Sequence, residues 1–301
     1  MAGAGEAVRT IAVTGSGSGM GAALSARLEG AGDRVIGIDV KNAEIEADLG
    51  TADGRASAIE RVGELSGGAL DGLVTLAGLA GLPERPASLL ISVNYFGTVE
   101  LLAGLRPLLA KGTDPAAVAI SSNSTTCQPG LDEDLIASCL EGDEEATRAL
   151  AGDGESLSTY PVTKTALSWW VRRHAPTPEW AGAGITLNAV APGAIETPLL
   201  QEGRDHPTVG PLIDAFASPL GRNGQPEEIA ALLQYLLGPD ARFFCGSVLF
   251  CDGGMDAQFR SDVQGIDHGH GPNISMSALA TLSSIVPLGL EVGIQTIRPC
   301  A

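Results

Sequence analysis

Positive charge, aromatic side chains and long apolar runs are all scarce in this chain of 301 residues. Lysine and arginine together number 18 against 36 acidic residues, which gives a formal net charge of -18. A surface this acidic repels phosphate backbones and anionic membrane surfaces. The composition therefore argues against nucleic acid as a partner and against attachment to a membrane.

Paired cysteines are also lacking. The 5 cysteines are odd in number, and no two of them have C-x-x-C spacing. That pattern predicts neither a disulfide framework nor a zinc ribbon, so no metal site is expected and a reducing, cytoplasmic location fits. No long apolar run follows a basic segment at the N-terminus, so no secretory signal is expected.

What the chain does contain is enough apolar residues, 44%, for a buried core in one large or two modest domains. The first organised stretch is the apolar run from Thr10 to Val13, which leads directly into a glycine-rich turn from Thr14 to Gly21 that includes Met20. A helical pattern follows. A strand, a glycine turn and a helix start form the context in which backbone amides bind a pyrophosphate. The stretch predicts a dinucleotide site.

Two registers are open for the glycine turn. Gly17-x-Gly19-x-x-Ala22 has the usual dinucleotide spacing, whereas Gly15-x-x-x-Gly19-x-Gly21 begins where the strand ends. We favour the second register, because the first glycine is needed in the tight turn immediately after the strand.

A carboxylate follows the next strand. The run from Arg34 to Asp39 is predicted as a second buried strand, and Asp39 lies about 20 residues after the turn, where a group that binds the adenosine ribose is expected. Asp39 predicts NAD, because the 2'-phosphate of NADP would meet like charge, although Lys41 could soften this preference. Asp48 and Leu49 could lie near the adenine; a surface turn is an equally good account.

Leu70 to Gly78 is predicted as a further strand whose small residues Ala77 and Gly78 suit close passage of a cofactor. Asn94 lies within an apolar helical pattern. A buried amide needs hydrogen-bond partners, so Asn94 is either a structural residue or part of a proton relay.

Ala116 to Ile120 predicts another strand, and Ser121, Ser122 and Ser124 follow at its C-terminal end. Ligands of open α/β sheets bind at that end of the strands. These serines compete as candidates for a substrate contact.

Tyr160 and Lys164 are one helical turn apart and therefore lie on the same face of a predicted helix. A phenol has a pKa near ~10 and is a poor acid or base at neutral pH, but a neighbouring cation lowers that pKa. The spacing predicts an acid-base pair. A half-buried aromatic ring beside a solvated lysine is the alternative for this motif alone.

Together, and in this order, the motifs resemble the short-chain dehydrogenase/reductase family over roughly residues 8 to 256. The matching positions are Thr14-Gly-x-x-x-Gly-x-Gly21, Asp39, Ala77-Gly78, Asn94, Ser122, Tyr160, Lys164, Pro192-Gly193 and Thr197. The resemblance implies an α/β, Rossmann-type doubly wound fold, with a mostly parallel sheet and helices on both faces. It also implies an oxidoreductase that moves hydride between NAD(H) and a secondary alcohol or ketone.

Within the family, the chain is most similar to the bacterial hydroxysteroid dehydrogenase/carbonyl reductase branch. The similar runs are Gly37 to Val40, Ala47 to Leu49, Ser92 to Gly97 and Ala191 to Leu200. This resemblance implies a small hydrophobic substrate, expected to be a hydroxysteroid. The same chemistry on a non-steroid cyclic or aromatic carbonyl is one alternative, and a non-catalytic NAD-binding sensor is another.

The resemblance also implies roles. Tyr160 is the general acid/base, Lys164 lowers its pKa and binds the nicotinamide ribose, Ser122 contacts the substrate oxygen, and Asn94 holds a relay water. Ser122 is chosen because it is the second serine of the Ile-Ser-Ser run. The implied cofactor-binding residues are Gly15, Gly19, Met20, Gly21, Asp39, Asp48, Leu49, Ala77, Gly78, Tyr160, Lys164, Pro192, Gly193, Ile195 and Thr197.

Two stretches depart from the family pattern. Thr75 and Leu76 replace two asparagines of the family, and an acidic segment from Leu131 to Ser156 is unusually long. The segment predicts an inserted amphipathic helix pair or lid, with a solvated acidic loop as the alternative. By resemblance the chain is expected to be a homo-oligomer, either a dimer with contacts at this insertion or a tetramer.

The expected domain organisation is a catalytic domain over residues 1-258, with an apolar substrate-binding loop from Leu199 to Pro219, and an extension over 259-301 of unknown role. Within that extension, His268 and His270 are weak metal candidates. The uncharged stretch from Gly271 to Leu290 is interrupted by serine, glycine and proline, which disfavours a membrane span.

Overall fold

The computed structural model describes residues 8-128, 130-152, 154 and 156-260. The two histidine candidates, the uncharged stretch and nearly all of the expected extension lie outside these residues.

A single parallel sheet of 7 strands organises the described chain, in the order β3-β2-β1-β4-β5-β6-β7. The strands are β1 (Thr10–Thr14), β2 (Arg34–Asp39), β3 (Ile45–Glu46), β4 (Gly72–Thr75), β5 (Ala116–Ile120), β6 (Thr186–Pro192) and β7 (Val248–Cys251). The predicted doubly wound α/β fold is confirmed. The strand predicted over 70-78 is shorter, since Leu76 to Gly78 leave the sheet, and the two-residue strand β3 was not predicted.

Helices cover both faces of the sheet. They are α1 (Gly19–Gly30), α2 (Ala52–Leu65), α3 (Ala87–Leu90), α4 (Gly97–Leu109), α5 (Ser124–Cys127), α6 (Glu133–Glu141), α7 (Glu144–Ala151), α8 (Ser156–His174), α9 (Pro198–Asp205), α10 (Gly210–Ala215), α11 (Pro226–Leu236) and α12 (Met255–Phe259). A π-helical segment, Ile91–Phe96, joins α3 to α4. Short 3-10 turns are formed by Ala181–Ala183 and Pro239–Ala241.

The core has two layers because successive residues of a strand point to opposite faces. Ala117 and Ala119 of β5 pack with α2, α4 and α8, whereas Val118 between them packs with α1 and α11. All five residues of β5 are buried, as expected for a central parallel strand. The sheet thus fixes where each strand ends, and with it the position of the site.

The helical run Ala87–Leu109 is apolar and long enough to cross a membrane by composition, but 67% of its most apolar stretch is buried inside the protein. Leu101, Leu102 and Leu105 of this run are fully buried in the core layer beneath α2 and α8. The run is therefore accounted for as a core helix of this sheet.

The segment predicted to be an inserted helix pair forms α6 and α7. Each helix begins at an aspartate whose carboxylate accepts a backbone N–H, Asp132 from Leu135 and Asp143 from Ala146. Ile136 and Cys139 of α6 are buried in the core layer that includes α8. Helix α6 therefore packs its apolar side chains against its own chain, whereas Leu150 of α7 is 57% exposed.

The chain beyond β7 ends, among the described residues, in the short helix α12. Phe259, its last residue, is 9% exposed and stacks on Phe216 with ring centroids 6.3 Å apart. The domain boundary at residue 258 stays a prediction, and it would cut this helix.

A buried arginine joins the insertion to the rest of the fold. The Arg55 side chain of α2 is 1% exposed and pairs with Glu100 of α4 at 2.5 Å and with Glu144 of α7. Its guanidinium also donates to the Leu49 carbonyl at 3.2 Å. One cation therefore holds three helices together.

We expect Arg55→Ala to lower the free energy of unfolding by about 3 kcal/mol, because it leaves two carboxylates without their buried cation. The Glu100 side chain is 43% exposed, so water partly solvates its charge in the variant. The expected loss of unfolding free energy is therefore at the lower end of the range for a broken buried ion pair. Urea unfolding measures it. Arg61→Ala is the control, since Arg61 on the same helix pairs with Glu64 at the surface and should change stability little. Equal losses in both variants would contradict this account.

Candidate active site

A cavity of about 220 Å³ lies at the C-terminal ends of β1, β4, β5 and β6. This is where the strand order reverses, because β1 pairs with β2 on one side and with β4 on the other. Ligands of doubly wound sheets bind at such a switch point. The cavity is lined by Met20, Leu76, Gly78, Leu79, Ala80, Gly81, Ile120, Ser121, Ser122, Gln128, Leu157, Tyr160, Lys164, Pro192, Gly193, Ala194, Ile195, Thr197, Leu199, Leu200, Gly203, Val209 and Ile213.

The glycine turn at the end of β1 requires glycine at specific positions. Gly15 has a φ of +70°, and a Cβ there would lie 2.8 Å from the Ala77 backbone nitrogen. A Cβ on Gly21 would lie 2.0 Å from the Gly15 carbonyl oxygen. A Cβ on Gly17 would also be close to its neighbours, 2.8 Å from the Lys41 carbonyl oxygen, but of Gly15 and Gly17 only Gly15 has a positive φ, which favours the register that begins there. The Ser18 side chain does not cap α1, so the first amides of that helix remain available to an anion.

Asp39 lies at the end of β2, directly beside this turn. Its carboxylate oxygens accept the N–H groups of Gly17 at 2.9 Å and Val40 at 2.7 Å. Lys41 is exposed and its backbone carbonyl lies against Gly17. The carboxylate is therefore fixed beside the glycine turn.

Asp48 and Leu49 are arranged differently from each other. Asp48 is exposed and accepts the Gly50 N–H at 2.9 Å, which makes it part of a turn, while Leu49 is 5% exposed and packs in the core. Asp48 is therefore part of a surface turn, and its contact with the adenine stays a prediction.

Ala77 and Gly78 pass close to both the glycine turn and the catalytic candidates. The Ala77 N–H donates to the Thr14 hydroxyl at 3.0 Å. A Cβ on Gly78 would lie 3.3 Å from Asn94 Oδ1 and 3.7 Å from Lys164 Nζ. The Thr75 hydroxyl, at the position of a family asparagine, is buried without a hydrogen-bond partner among the described residues.

Tyr160, Lys164 and Ser122 come together at the floor of the cavity. Lys164 Nζ lies 5.8 Å from the centre of the Tyr160 ring and donates to the Ile120 carbonyl at 2.9 Å. Ser122 lies close enough to the Tyr160 hydroxyl to lower the pKa of that phenol. Helix α8 supplies the first two side chains and the end of β5 supplies the third, so the helix and the sheet together set their geometry.

The competing serines are occupied or turned away. The Ser121 hydroxyl donates to the Lys164 carbonyl at 3.1 Å and lies 2.7 Å from the Ser168 hydroxyl. The Ser124 hydroxyl is buried without a hydrogen-bond partner within the described chain, and Ser124 does not line the cavity. Ser122 is therefore the serine that faces Tyr160.

Burial governs the proton affinities at this floor. It lowers the pKa of Lys164 to about 8, so the amine remains mainly protonated at pH 7. Burial also raises the pKa of Tyr160, and the hydrogen bond with Ser122 acts in the opposite direction. The charged ammonium beside the ring favours the phenolate form.

Both polar atoms of the Asn94 side chain are hydrogen-bonded to one loop residue, Leu79. Its Oδ1 accepts the Leu79 N–H at 2.8 Å and its Nδ2 donates to the Leu79 carbonyl at 3.0 Å. Its backbone carbonyl accepts the Thr98 hydroxyl at 3.1 Å. The Asn94 side chain therefore has a structural role, and its role in a proton relay stays a prediction.

The chain after β6 crosses over the glycine turn. A Cβ on Gly193 would lie 2.8 Å from Asp252 Cα, so this segment is closely packed. Ile195 is 5% exposed. The Thr197 hydroxyl accepts the Leu200 N–H at 3.2 Å, which caps α9, and its methyl group lies 3.2 Å from where a Cβ on Gly19 would be.

Sequence reasoning missed several lining residues, among them Leu79, Ala80, Leu157 and Gln128. Gln128 is polar and half-buried, and it follows the short helix α5. These residues have no motif, since only the folding of their loops onto the sheet brings them to the cavity.

Two family models match the chain. The model described as "NAD dependent epimerase/dehydratase family" matches residues 11–199, and the one described as "Enoyl-(Acyl carrier protein) reductase" matches residues 146–256. The chain is 42% identical over 254 residues to the 3-alpha-hydroxysteroid dehydrogenase/carbonyl reductase of Comamonas testosteroni, which covers 83% of this chain and 97% of that protein. It is 30% identical to a tropinone reductase homolog of Arabidopsis thaliana, over 82% of this chain and 78% of the relative.

Solved structures give the same picture. The crystal structure of the 3-alpha-hydroxysteroid dehydrogenase from Pseudomonas sp. B-0831, complexed with NADH, superposes with a TM-score of 0.81 at 46% identity and covers 84% of this chain and 99% of that chain. The aldohexose dehydrogenase of Thermoplasma acidophilum, at 23% identity and a TM-score of 0.64, shares the fold. With the cavity at the switch point and its serine, tyrosine and lysine, these relationships establish that the chain belongs to the short-chain dehydrogenase/reductase family.

Proposed function

We propose that this protein is an NAD(H)-dependent oxidoreductase that interconverts a hydrophobic secondary alcohol, a hydroxysteroid, and its ketone. The observation that carries this proposal is the cluster of Ser122, Tyr160 and Lys164 at the floor of an apolar cavity beside the glycine turn. The names of the two hydroxysteroid dehydrogenases to which the chain is 42% and 46% identical support the substrate class.

The residues present fit NAD. The positive φ of Gly15 and the uncapped start of α1 suit a pyrophosphate, and the Asp39 carboxylate suits two ribose hydroxyls. Lys164, Pro192, Gly193, Ile195 and Thr197 would hold the nicotinamide end, since they line the cavity beside Tyr160. When bound, the nicotinamide supplies the acceptor or donor of hydride.

The chain's own residues handle the proton. In oxidation, the substrate alcohol loses hydride from its carbinol carbon and a proton from its hydroxyl, which Tyr160 takes as a phenolate base. Ser122 donates a hydrogen bond to the substrate oxygen. Lys164 stabilises the phenolate by its positive charge. In reduction, the Tyr160 phenol returns the proton to the carbonyl oxygen as hydride arrives.

The cavity walls favour a hydrophobic substrate. Beyond the reacting groups, the lining is mainly aliphatic, with Leu79, Leu157, Leu199, Leu200, Val209 and Ile213. Such walls bind an apolar ring system by excluding water from it. The Gln128 amide is a polar exception, and it could receive a second oxygen of the substrate.

We also propose that the protein is a cytoplasmic homo-oligomer. The edge strand β7 is only partly buried, and Tyr235 and Phe243 near it are 45% and 103% exposed. An unpaired apolar sheet edge is a ready contact for a second copy. The insertion is a second candidate for that contact, because Leu150 of α7 is 57% exposed, although Ile136 and Cys139 of α6 are already buried in its own chain.

The direct test is NAD reduction measured with a panel of hydroxysteroids and simple cyclic alcohols. We expect turnover of hydroxysteroids. Turnover of simple cyclic alcohols alone would support the non-steroid alternative, and NAD binding with no turnover of either class would support the sensor alternative.

We expect Tyr160→Phe to bind NADH normally but to lower turnover by at least ~10²-fold, the usual size of a general acid-base contribution. Ser122→Ala should also slow turnover, because the substrate oxygen loses a donor. Ser124→Ala is the matched control and should be nearly silent. Turnover near the wild-type rate in Tyr160→Phe would remove the phenol from the chemistry.

Lys164→Met tests how much free energy of unfolding the protein loses by burying a charged ammonium. Because burial lowers the pKa of Lys164 to about 8, whereas an unfolded lysine titrates near ~10.4, the folded chain releases its proton first as the pH rises. Between these two values the unfolded state binds more protons, so wild-type stability increases with pH. Below about pH 8 both states are protonated and the full cost of burial is present.

We therefore expect the wild type to gain about 2 kcal/mol of unfolding free energy over Lys164→Met between pH 7 and about pH 9.5. Urea unfolding at both pH values measures this difference, and turnover should be lost in the variant. Lys111→Met is the control, because Lys111 is exposed and should show no such gain. A constant difference between wild type and Lys164→Met would contradict the lowered pKa.

Cofactor choice depends on Asp39. We expect kcat/KM with NAD to exceed that with NADP by orders of magnitude in the wild type, because a 2'-phosphate would meet the carboxylate. Asp39→Ala should bring the two values close together, and adding Lys41→Ala should remove the gain for NADP. Wild-type use of both cofactors would show that the carboxylate does not meet the ribose.

A further inference from the structure

One wall of the cavity is a loop, residues 79–86, which we call the wall loop. Two side chains from the body of the protein hold it by hydrogen bonds. Asn94 binds both the N–H and the carbonyl of Leu79. Ser156, at the start of α8, does the same at Leu82, whose N–H it accepts at 2.8 Å and to whose carbonyl it donates. A Cβ on Gly81 would lie 2.6 Å from the Ser156 carbonyl oxygen. Hydrogen bonds and close packing therefore hold the wall loop against the rest of the protein.

The opposite wall is formed by α9 and α10, residues 198–215, which we call the cover segment. Leu199, Leu200 and Ile213 of this segment line the cavity. Only three of its residues are buried, namely Gly203, Val209 and Gly210. A segment that buries so few side chains has little local stability of its own and opens readily. Its position over the cavity therefore depends on the contacts that its outer residues make.

Two side-chain contacts join the cover segment to the wall loop across the cavity. Arg85 Nη2 lies 2.8 Å from Glu202 Oε1, and the Arg85 side chain is only 15% exposed. The same guanidinium donates to the Ala80 carbonyl, which fixes it on the wall loop. Further along the cover segment, His206 Nε2 lies 3.1 Å from Glu84 Oε2.

The hydrogen bonds of His206 define its tautomer. Its Nδ1 accepts the N–H groups of Thr208 at 3.2 Å and Val209 at 3.3 Å, so Nδ1 carries no proton. The proton of the neutral ring is therefore on Nε2, the nitrogen that lies 3.1 Å from Glu84 Oε2. Through Nδ1 the ring also holds the turn between α9 and α10.

We propose that the Arg85–Glu202 and Glu84–His206 contacts form a clasp that holds the cover segment closed over a bound substrate. The four residues are positioning residues, since they act through the apolar side chains of the two walls and do not touch the reacting groups. Because both contacts cross from a fixed wall to a weakly anchored one, losing them opens the cavity without disturbing Ser122 or Tyr160. The kinetic part of the test rests on the proposed function, but its structural part does not.

The structural test is hydrogen exchange of the backbone amides of residues 198–215, measured on the protein alone. In Glu202→Arg, which places like charges together, we expect exchange in this segment to be at least about 3-fold faster, with the thermal midpoint little changed. The double variant Arg85→Glu, Glu202→Arg restores opposite charges and should recover most of the protection. Glu84→Gln should give a smaller increase. Asp205→Asn is the control, because Asp205 pairs with Gln201 within α9 and does not reach the wall loop.

The kinetic test uses a hydroxysteroid with saturating NAD. We expect Glu202→Arg to raise the KM by about 3- to 10-fold with kcat unchanged or higher, and the double variant to reverse the change. Unchanged exchange in Glu202→Arg, or no recovery in the double variant, would overturn the clasp. A wild-type protein that fails to turn over hydroxysteroids would refute the proposed function, while the exchange measurement would still decide for or against the clasp.

Discussion

A lysine ammonium buried at the end of a parallel sheet is the constraint on which this site depends. Lys164 is 5% exposed, its charge is opposed by burial, and its direct partner among the described contacts is the Ile120 carbonyl at the end of β5. A fold keeps such a group in place only where the surrounding structure is well determined. Here α8 supplies the lysine and β5 supplies the carbonyl, so the packing of helix on sheet fixes the cation.

The neighbours of this cation follow from the same packing. Tyr160 lies one turn before Lys164 on α8. The strand β5, whose Ile120 carbonyl accepts the Lys164 hydrogen bond, leads directly into Ser122. Helix and strand alone therefore bring the three side chains together. Ser121 binds the Lys164 carbonyl and Ser168, which ties the strand end to the helix a second time. Substrate recognition is separate from this rigid floor, since it lies in the walls above.

Features that depend on neighbouring residues in the sequence were predictable. The turn after β1 needs glycine at Gly15 because of a positive φ and a close backbone neighbour, and such positions are visible in a sequence. Strand β2 was predicted with its observed ends and Asp39 in place. Features set by distant contacts were not predictable: Arg55 between two glutamates, Asn94 on Leu79, and Gln128 in the cavity. In each case the partner is supplied by another part of the chain, and no local pattern encodes it.

We infer that this site transfers hydride from a secondary alcohol to a nicotinamide while the side chains beneath it move the proton. The most direct measurement uses a hydroxysteroid that carries deuterium at its carbinol carbon and mass spectrometry of the nicotinamide product. We expect one deuterium in every reduced cofactor that the wild-type protein forms, with no loss to solvent. Reduced cofactor without deuterium, or steroid recovered unchanged in the presence of NAD, would contradict it.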